Sequence, residues 1–544
     1  MANIEIIRGA DNGNPPDTLR QMYPKINRNF NKINNELSNT NSELDAHKKS
    51  TAAHKAENIT YAGLVPGDDV KEAIDNVNER ISEIVAQSGD DITELVDARG
   101  GYSVLSARLN ASDTRLEGKA NKRWFDVLDY GAVGDGVTFS AASIQLALDA
   151  AELNGGGVVF VPSGVYLINE ILRIGSNTTL LSTANSIFKR SAEITAIILN
   201  KSDGTIGGYN ANKNVVISGG VFDGSKDEYT TAASSIAFGH CTNILIENVK
   251  CINTQIYHSI EINAVKNGVV RNCVFDNYSA GGTEYIQIDL ALEAPFPWFG
   301  PYDSTMCYNI TIEGCLFQNG IDGIGSHSSQ TNLTHNNISI LRNTFKSMSG
   351  ICIKPLNYRD VAISNNQVED CFRGIEIQPA DGAGPGNYTI TNNVMTNMRY
   401  SLDQSRGILV NAGNTHGIIS GNIVRGTGRH GIGTDGCSNF TVSNNIIEGC
   451  GGNGLWVYNS DDCIVEGNRC YNNFSKVGTG DICIGEAVTF VCDRILATNN
   501  YCGRMAISYT DKLMMTNNFI NTLSNSSNTN LQNKNNYING VWTP

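Results

Sequence analysis

Alternating apolar and polar positions organise the middle of the chain, where one short phrase returns from about residue 214 to residue 519. Each copy is an alternating run followed by Asn-x and an apolar residue, as in NILIENVKC, NITIEGCLF, DVAISNNQV, NFTVSNNII and KLMMTNNFI. Such alternation predicts a β-strand. A second alternating phrase lies between successive copies, as in SIEIN, YIQID, GIGSH, GICIK and GIEIQ. The irregular period, about twenty to thirty residues, is typical of one coil of a solenoid.

Aligning the copies places a recurrent asparagine at one corner of each coil. Its members are Asn248, Asn272, Asn343, Asn366, Asn393, Asn422, Asn445, Asn468, Asn500 and Asn518, with Gly314 as the exception. Asn tolerates the left-handed backbone of a sharp bend, and its amide can hydrogen bond to its neighbour one coil away. We therefore predict an all-β fold, a right-handed parallel β-helix. A β-sandwich is disfavoured because its strands do not recur in a fixed order with a fixed corner residue.

The net charge and the cysteine positions exclude some classes of partner and favour free thiols over disulfides. The formal net charge of −14 argues against nucleic acid or an anionic membrane surface as the main partner. Many of the 14 cysteines fall at equivalent positions of the coils, which favours stacked interior thiols over disulfides and fits folding in a reducing cytosol. The N-terminus lacks a signal-peptide pattern and no apolar run has the length of a membrane span, so we expect no membrane insertion.

The N-terminal part predicts helices rather than strands. DTLRQMYPKINRNFNKINNEL has apolar residues at helical spacing and resembles the N-terminal segment of phage tail-fibre and tailspike subunits, although any short amphipathic helix shares this spacing. The resemblance implies a virion-attachment segment over residues 1–50. Ile74, Val77, Ile81 and Ile84 have the spacing of a coiled-coil seam, which favours a short helical bundle of identical chains over residues 51–123. The resemblance to phage structural proteins implies that this bundle is a trimerisation arm.

Residues 124–175 predict the start and cap of the β-helix. FDVLDYGAVGDG is followed by an amphipathic helix over Ser140 to Leu153 and by the strand phrase GGGVVFVPSGVYLI. A helix with one apolar face can cover the open end of a solenoid. The segment resembles the first motif of the pectate-lyase-like superfamily. A nucleotide-binding glycine loop is disfavoured because the strand-GxGxxG-helix context is missing. The β-helix itself should span residues 176–520, and residues 521–544 a polar C-terminal tail, either a trimer clasp or the remnant of a longer precursor.

The second phrase of each coil predicts two columns of outward side chains, about 4.8 Å apart from coil to coil. One column is Asn263, Asp289, His327, Lys354, Gln378, Asn411, Asp435 and Tyr458, and the other is Glu261, Gln287, Cys352, Glu376, Leu409 and Trp456. The longest insertion, ALEAPFPWFGPYDSTM, carries Phe296, Trp298, Phe299 and Tyr302. It predicts a wall over a binding groove, with a trimer contact as the alternative.

These columns suggest a site for proton transfer. Asp289 and His327 should lie within hydrogen-bonding reach, with Asp322 as a second carboxylate, and these three are the catalytic candidates. Lys354 could neutralise a phosphate or a uronate. The substrate-binding candidates are Glu261, Gln287, Trp298, Asp303, Lys354, Glu376 and Gln378. The alternative is that these are ordinary solvated side chains.

The run TEYIQIDLALEAPFPWFGPYDSTMCYNITIEGCLFQNGIDGIGSHSS resembles the appendage, or tailspike, proteins of small Bacillus phages. The resemblance implies a homotrimeric spike in the virion, joined to tail or neck proteins by its N-terminal arm, that binds and degrades wall teichoic acid. Other wall or capsular polysaccharides rank second. A polysaccharide lyase and a non-catalytic adhesin remain alternatives.

The sequence requires no cofactor, and it assigns no metal ligands. The negative net charge is unfavourable for a phosphate-rich substrate. Either Lys354, Arg359 and Arg373 offset it locally, or a divalent cation such as Ca²⁺ or Mg²⁺ bridges acidic side chains and phosphate.

Overall fold

The computed structural model of the protein describes residues 123–281, 283–293, 298–379, 386–486 and 491–543, and helical positions 28, 31–32, 34–35, 38–42, 75–77 and 79. The chain divides into two units, residues 1–116 and 117–544. Most of the predicted attachment segment and trimerisation arm, including Ile74, Ile81 and Ile84, lies outside the described residues. None of the helices in the described ranges has the length and apolar character needed to cross a membrane.

Parallel strands stack into three long rows, so the predicted parallel β-helix is confirmed. The first sheet has 16 strands, and the other two rows merge into one 29-stranded sheet at the strand Tyr501–Ser508. The strands of the first sheet are Trp124–Asp126, Gly157–Val161, Thr178–Ser182, Asn212–Ser218, Cys241–Glu247, Lys266–Arg271, Tyr308–Glu313, His335–Leu341, Tyr358–Ser364, Gly386–Thr391, Thr415–Ser420, Ser438–Ser443, Ile464–Glu466, Cys492–Thr498, Thr510–Thr516 and Gln532–Lys534.

The second row consists mostly of three-residue strands that follow each corner. They are Asp135–Phe139, Gly164–Ile168, Ser186–Arg190, Val221–Asp223, Lys250–Ile252, Val274–Asp276, Leu316–Gln318, Thr344–Lys346, Gln367–Glu369, Val394–Thr396, Ile423–Arg425, Ile446–Glu448, Arg469–Tyr471, Tyr501–Ser508, Phe519–Ser526, Tyr537–Ile538 and Val541–Trp542.

The third row contains the second phrase of each coil and carries the candidate site. Its strands are Leu172–Ile174, Ala196–Asn200, Ser234–Gly239, Ile260–Asn263, Glu284–Asp289, Asp322–Gly325, Ile351–Lys354, Arg373–Ile377, Arg406–Val410, Ile432–Asp435, Leu455–Tyr458 and Ile482–Ile484. We call each coil, with one strand in each row, a rung.

A helix covers the N-terminal end of the solenoid, as the sequence predicts. The helix Ala141–Leu153 begins after Ser140 and buries Ile144, Leu148 and Ala151 against the first rungs. A short 3₁₀ helix, Val127–Tyr130, precedes it. The apolar face of the helix therefore protects strand edges that would otherwise be open to pairing.

The corner of each coil uses two neighbouring residues where the sequence alignment assumed one. Asn248 and Asn272 have the left-handed backbone, with φ of 56° and 54°. From Asn343 onward the recurrent asparagine follows the left-handed residue, which at that rung is Arg342 (φ 56°). The prediction that it aligns with Asn248 and Asn272 is therefore wrong by one residue. One residue of the corner makes the bend, and the next residue makes the amide hydrogen bonds.

The buried asparagines form a continuous hydrogen-bonded ladder. Asn422, for example, donates from its side chain to the Ile390 carbonyl at 2.9 Å and to Asn445 Oδ1 at 3.0 Å. Its own Oδ1 accepts from the Asn393 main-chain and side-chain nitrogens, each at 3.0 Å. The ladder continues to Asn536, so the predicted C-terminal tail instead adds a further rung.

Stacked aromatic rings and thiols fill the interior. The rings of Phe275, Phe317 and Phe345 lie on successive rungs with centroids 4.7 Å apart. All 14 cysteines are free and buried, which confirms the prediction of interior thiols. Cys352 is among them, so its predicted outward position is wrong: its side chain packs in the hydrophobic core.

Candidate functional site

Adjacent strands of the third row align the side chains of the candidate site. Gln287 is in register with Glu261 on the preceding rung and with Gly325 on the following one. Gly325 is in turn in register with Lys354. The sequence pattern predicts Lys354 in the column of Asp289 and His327, and this position is wrong. Lys354 lies in the column of Gln287, because the strand Asp322–Gly325 ends two residues before the end of the GIGSH phrase that was used for the alignment.

Glu284 lies at the centre of a charged cluster. Its Oε2 is 3.3 Å from His327 Nδ1 and 3.9 Å from His258 Nδ1, and its Oε1 is 2.7 Å from Lys354 Nζ. The same ammonium group donates to Asp322 Oδ2 at 2.9 Å. We call these five residues the Glu284 cluster. It combines two of the predicted catalytic residues with Lys354 and with two residues that the sequence analysis did not select.

Sequence reasoning missed Glu284 because it assumed strict alternation along the strand. Tyr285 and Ile286 are successive residues, yet both side chains belong to the hydrophobic core. This interruption leaves Glu284 on the same side as Gln287, where alternation would place it inside with Ile286. A carboxylate directly before two apolar residues at a strand start is the signal that could have identified it.

The cluster holds Glu284 as a carboxylate. Burial would raise the pKa of Glu284, but the hydrogen bond from His327 and the charge of Lys354 outweigh it and place this pKa well below its usual range. The hydrogen bond to Glu284 in turn raises the pKa of His327. Burial lowers the pKa of His258 to about 4, so this imidazole is neutral and its Nδ1 donates to the Glu284 carbonyl at 2.8 Å.

Gln287 lies between the two predicted catalytic partners. Its Nε2 donates to Asp289 Oδ2 at 2.9 Å and to His327 Nε2 at 3.2 Å. The predicted direct hydrogen bond between Asp289 and His327 is therefore replaced by an amide bridge, and the carboxylate that contacts His327 is Glu284. Burial raises the pKa of Asp289 to about 7. The two carboxyl groups near His327 thus differ strongly in acidity, an arrangement that separates acid from base roles.

His327 is the member of the cluster that a ligand can reach most easily. Its side chain is 37% exposed, compared with 17% for Lys354, 14% for Asp322 and 0% for Glu284. The buried carboxylate therefore orients an accessible imidazole, while the lysine supplies positive charge beside it. This combination can transfer a proton to or from a bound polymer.

Two donor sets could hold a cation. Ligand atoms of His258, Glu284 and His327 lie within 4.8 Å of one another. Imidazole nitrogens suit transition metals rather than Ca²⁺ or Mg²⁺, and the Lys354 ammonium group already neutralises the carboxylate. This set therefore fits Ca²⁺ or Mg²⁺ poorly.

The second donor set is built from oxygens. Glu261, Asn263, Gln287 and Asp289 occupy two columns of two neighbouring rungs, and each is at most 2% exposed. Among the described residues, Glu261 Oε2, Asn263 Oδ1 and Gln287 Oε1 have no hydrogen-bond partner. Carboxylate and amide oxygens are the ligands that Ca²⁺ prefers, so this set fits a hard cation better than the first.

The aromatic insertion after Asp289 covers part of the third row. Phe299 is only 2% exposed and packs with Leu199 and Ala237, on rungs before the cluster. Trp298 is half-buried, with its ring 5.6 Å from that of Tyr257. Phe296 lies outside the described residues.

Several predicted binding residues have structural partners away from the Glu284 cluster. Asp303 accepts hydrogen bonds from the backbone nitrogens of Gly208 and Thr305 at 2.8 and 3.0 Å, and so anchors the insertion. Gln378 donates to the backbone carbonyl of Glu376 at 3.2 Å. These positions hold the loop and strand ends in place.

Glu376 is in register with Leu409, as its predicted column requires, whereas Arg359 takes a position that the sequence did not anticipate. The Glu376 carboxylate is 3.1 Å from Arg373, on the third row beyond the Glu284 cluster. Arg359 lies on the first sheet, in the strand Tyr358–Ser364, and is exposed. Its predicted contribution to charge balance near Lys354 is therefore wrong, because it belongs to another side of the coil.

Two protein families match the chain over overlapping regions. The family described as "Rhamnogalacturonase A/epimerase, pectate lyase-like" matches residues 124–376. The family described as "Periplasmic copper-binding protein (NosD)" matches residues 346–543. The first match includes all five residues of the Glu284 cluster.

Similar proteins include a bacterial surface protein and phage appendages. The chain is 30% identical over 300 residues to the plasmin and fibronectin-binding protein A of Streptococcus pneumoniae, covering 48% of this chain and 41% of that protein. It is 28% identical over 273 residues to the pre-neck appendage protein of Bacillus phage phi29, covering 49% and 28%. The matches thus span less than half of each relative.

The solved structure of the pneumococcal adhesin PfbA has the same fold. It aligns with a TM-score of 0.50 and 20% identity over 74% of this chain and 99% of that chain. The protein therefore has a parallel β-helix fold, and its sequence is similar to those of phage appendage proteins and of a bacterial adhesin.

Proposed function

We propose that the protein is a phage receptor-binding spike that binds a polymer of the Gram-positive cell surface and hydrolyses it at the Glu284 cluster. Wall teichoic acid is the first candidate, and another wall or capsular polysaccharide is the second. The observation that carries the proposal is the buried Glu284 carboxylate, which holds the accessible imidazole of His327 beside Lys354. The similarity to Bacillus phage appendage proteins supports the assignment to a virion.

In this mechanism His327 is the catalytic residue. Glu284 accepts a hydrogen bond from the Nδ1–H group of His327, which orients Nε2 and stabilises the imidazolium form. Neutral His327 exchanges the hydrogen bond from Gln287 at Nε2 for one from a water molecule, and it takes the proton of that water as the water oxygen bonds to phosphorus or to an anomeric carbon. The bond to the leaving oxygen breaks, and the imidazolium returns the proton to that oxygen.

Lys354 and Asp322 assist without direct proton transfer. The Lys354 ammonium group is shared between Glu284 and Asp322, at 2.7 and 2.9 Å. Its charge can stabilise negative charge that develops on phosphate or on a leaving oxygen. Asp322 Oδ1 also accepts from the Ile351 backbone nitrogen at 2.6 Å, which fixes the lysine partner in place.

A non-catalytic adhesin is the second candidate. The observation in its favour is the similarity to the pneumococcal plasmin and fibronectin-binding protein. Such a protein would use the same face to bind a polymer without cutting it. A polysaccharide lyase is a third candidate and would release an unsaturated sugar. Assembly as a homotrimer, with the N-terminal arm joined to tail or neck proteins, belongs to the spike proposal and is testable by measuring molar mass in solution.

The decisive experiment incubates the full-length protein with isolated Bacillus wall teichoic acid, with and without a chelator. Polymer length, phosphomonoester ends, reducing ends and near-ultraviolet absorbance are followed together. Shortening with new phosphomonoesters or reducing ends supports hydrolysis and identifies the bond, whereas new absorbance indicates a lyase. Tight binding with unchanged polymer length would reject hydrolysis and favour the adhesin. Loss of shortening with chelator would indicate that a divalent cation takes part.

A further inference from the structure

Four consecutive rungs bring a cationic side chain to the third row of the β-helix. Lys354 ends the strand Ile351–Lys354, and Arg373 and Arg406 are in register at the starts of the next two strands. Arg429 lies three residues before the following strand, Ile432–Asp435, and its guanidinium group shares Gln404 Oε1 with that of Arg406. We call Arg373, Arg406 and Arg429 the arginine strip.

Acidic side chains neutralise the strip only in part. Glu376 is 3.1 Å from Arg373, and Asp435 is the other carboxylate that acts on Arg406. Arg406 and Arg429 share an uncharged partner, Gln404. Its Oε1 accepts from their guanidinium groups at 3.4 and 3.1 Å, respectively. Within the part of the chain that the structure describes, three guanidinium groups therefore face two carboxylates, although the formal net charge of the whole chain is −14.

The arginines are also incompletely hydrogen bonded. The Nε atoms of Arg373, Arg406 and Arg429 are buried and have no partner among the described residues. Burial lowers the pKa of Arg406, and the charges of Arg373 and Arg429 lower it further against the opposing effect of Glu376. An added anion would relieve this repulsion, and guanidinium groups bind phosphate and carboxylate oxygens in well-defined geometry.

The strip continues from the Glu284 cluster through Lys354. Neighbouring rungs are about 4.8 Å apart, so Lys354 and Arg429 are separated by roughly 14 Å along the β-helix axis. A single small anion would not need four cations in a row, whereas a polymer with an anionic group in each repeat would contact them in succession.

We propose that the arginine strip is a binding subsite for the anionic repeats, phosphodiester or carboxylate, of a polymer that lies along the β-helix axis. This inference rests on the proposed function only in that the same polymer would reach His327. The strip would bind the repeats beyond the bond that is cleaved, and it resolves the conflict between an acidic protein and an acidic substrate by local charge.

The test measures equilibrium binding of the full-length protein to three probes: wall teichoic acid, polygalacturonate and neutral dextran. The variants are Arg406→Gln and the charge-conserving Arg406→Lys. The matched control is Arg425→Gln, an exposed arginine of the second row that pairs with Glu448 at 3.2 Å. Melting temperatures establish that each variant is folded.

We expect Arg406→Gln to weaken binding of one anionic polymer about five- to tenfold and to reduce the salt dependence of binding, because one charge-assisted contact is lost. Arg406→Lys should recover part of the affinity, and Arg425→Gln should bind like the unmodified protein. Loss confined to teichoic acid would identify phosphodiesters as the ligand, and loss confined to polygalacturonate would identify carboxylates.

Unchanged binding in Arg406→Gln, an equal loss with dextran, or no binding of either polyanion by the unmodified protein would overturn the proposal. The same measurements in a His327→Ala background separate the two proposals. A strip-dependent affinity without any polymer shortening in the unmodified protein would reject hydrolysis and retain the subsite.

Discussion

Two sets of buried polar side chains run along the same β-helix, and they differ in how fully they are hydrogen bonded. In the asparagine ladder, each amide bonds to the amide one rung away and to a backbone carbonyl, as Asn422 does with Asn445 and Ile390. On the third row, Gln287 Oε1 and Glu261 Oε2 lack partners among the described residues. Burying an unpaired polar atom costs free energy. A repeated fold that satisfies one column and leaves another incomplete indicates where a ligand is expected.

The comparison implies opposite responses to mutation. Changes in the ladder should lower stability and leave the chemistry of the folded protein intact. Changes in the Glu284 cluster should alter chemistry and leave folding largely intact. The variants His327→Ala, Asn422→Ala and Glu284→Gln test this separation.

The largest expected effect is on activity in His327→Ala. The imidazole is the exposed proton-transfer group of the cluster, so polymer cleavage should fall by about 10²- to 10⁴-fold. The melting temperature should stay within a few degrees because the side chain is not part of the core. Measuring cleavage rate and thermal unfolding on the same preparation tests both parts.

The control for that variant is His416→Asn. His416 lies on the first sheet with φ of 60°, a conformation that asparagine accepts, and it is exposed. Its cleavage rate should match that of the unmodified protein. Retention of full activity in His327→Ala would remove this residue from the mechanism and with it the main argument for hydrolysis.

The next effect concerns stability as a function of pH. The pKa of Asp289 is raised to about 7 in the folded protein, above the ordinary value of 3.8. The folded state therefore binds more protons than the unfolded state between these values, so this group makes stability fall as pH rises from about 4 to 7. At 1.36 kcal/mol per pKa unit, the change is at most about 4 kcal/mol.

Asp289→Asn should remove this dependence. The difference in unfolding free energy between the variant and the unmodified protein should shift in favour of the variant as pH increases from 4 to 7, as measured by urea unfolding at several pH values. Glu284 contributes in the opposite sense, because its lowered pKa makes stability fall at acidic pH. A pH-independent difference would mean that Asp289 is ionised throughout or that a bound cation compensates its charge.

A smaller loss of stability is expected from Asn422→Ala. The substitution leaves the Ile390 carbonyl and the Asn393 nitrogen without partners in the interior. We expect a loss of about 2–3 kcal/mol in unfolding free energy, since each buried group left unpaired costs about 1–3 kcal/mol. Urea unfolding measures the loss, and the rate per folded molecule should not change.

Asn392→Gly is the matched variant at the same corner. Asn392 has φ of 56°, and glycine accepts this conformation without strain. Its unfolding free energy should change by less than about 0.5 kcal/mol, the range of ordinary surface substitutions. Equal losses in the two variants would mean that bending, and not the buried amide, determines stability at this corner.

The sequence predicted the fold well because its information is local and repeated. Alternating phrases, the apolar face of the helix Ala141–Leu153 and the recurrent corner asparagine each depend on a few neighbouring residues. His327, Lys354 and Asp322 were also found, because they belong to regular strand phrases. The contacts among these three residues were not predicted, because they depend on the register between neighbouring strands. Lys354 is in register with Gly325 and Gln287.

Glu284 shows the limit of such reasoning. Strict alternation places it in the interior, and only the consecutive inward positions of Tyr285 and Ile286 bring it to the outer face. His258 was missed for a related reason, since it precedes the quoted strand phrase SIEIN. Irregular backbone at the start of a strand leaves no periodic signal, and here it positions the central carboxylate.

The smallest effect argued here, in Glu284→Gln, tests whether the buried carboxylate acts through His327. The hydrogen bond to Glu284 raises the pKa of His327, so removing the negative charge should lower that pKa. Cleavage should fall about 10- to 30-fold, and the acidic limb of its pH profile should move to lower pH because the imidazole becomes neutral there sooner. The pH dependence of the cleavage rate, with the His327 imidazole followed by NMR, measures both changes.

Glu313→Gln is the control, because Glu313 is a carboxylate of the first sheet that pairs with Arg342. A lower rate with an unchanged pH profile would show that Glu284 positions Lys354 or the strand and does not tune the histidine.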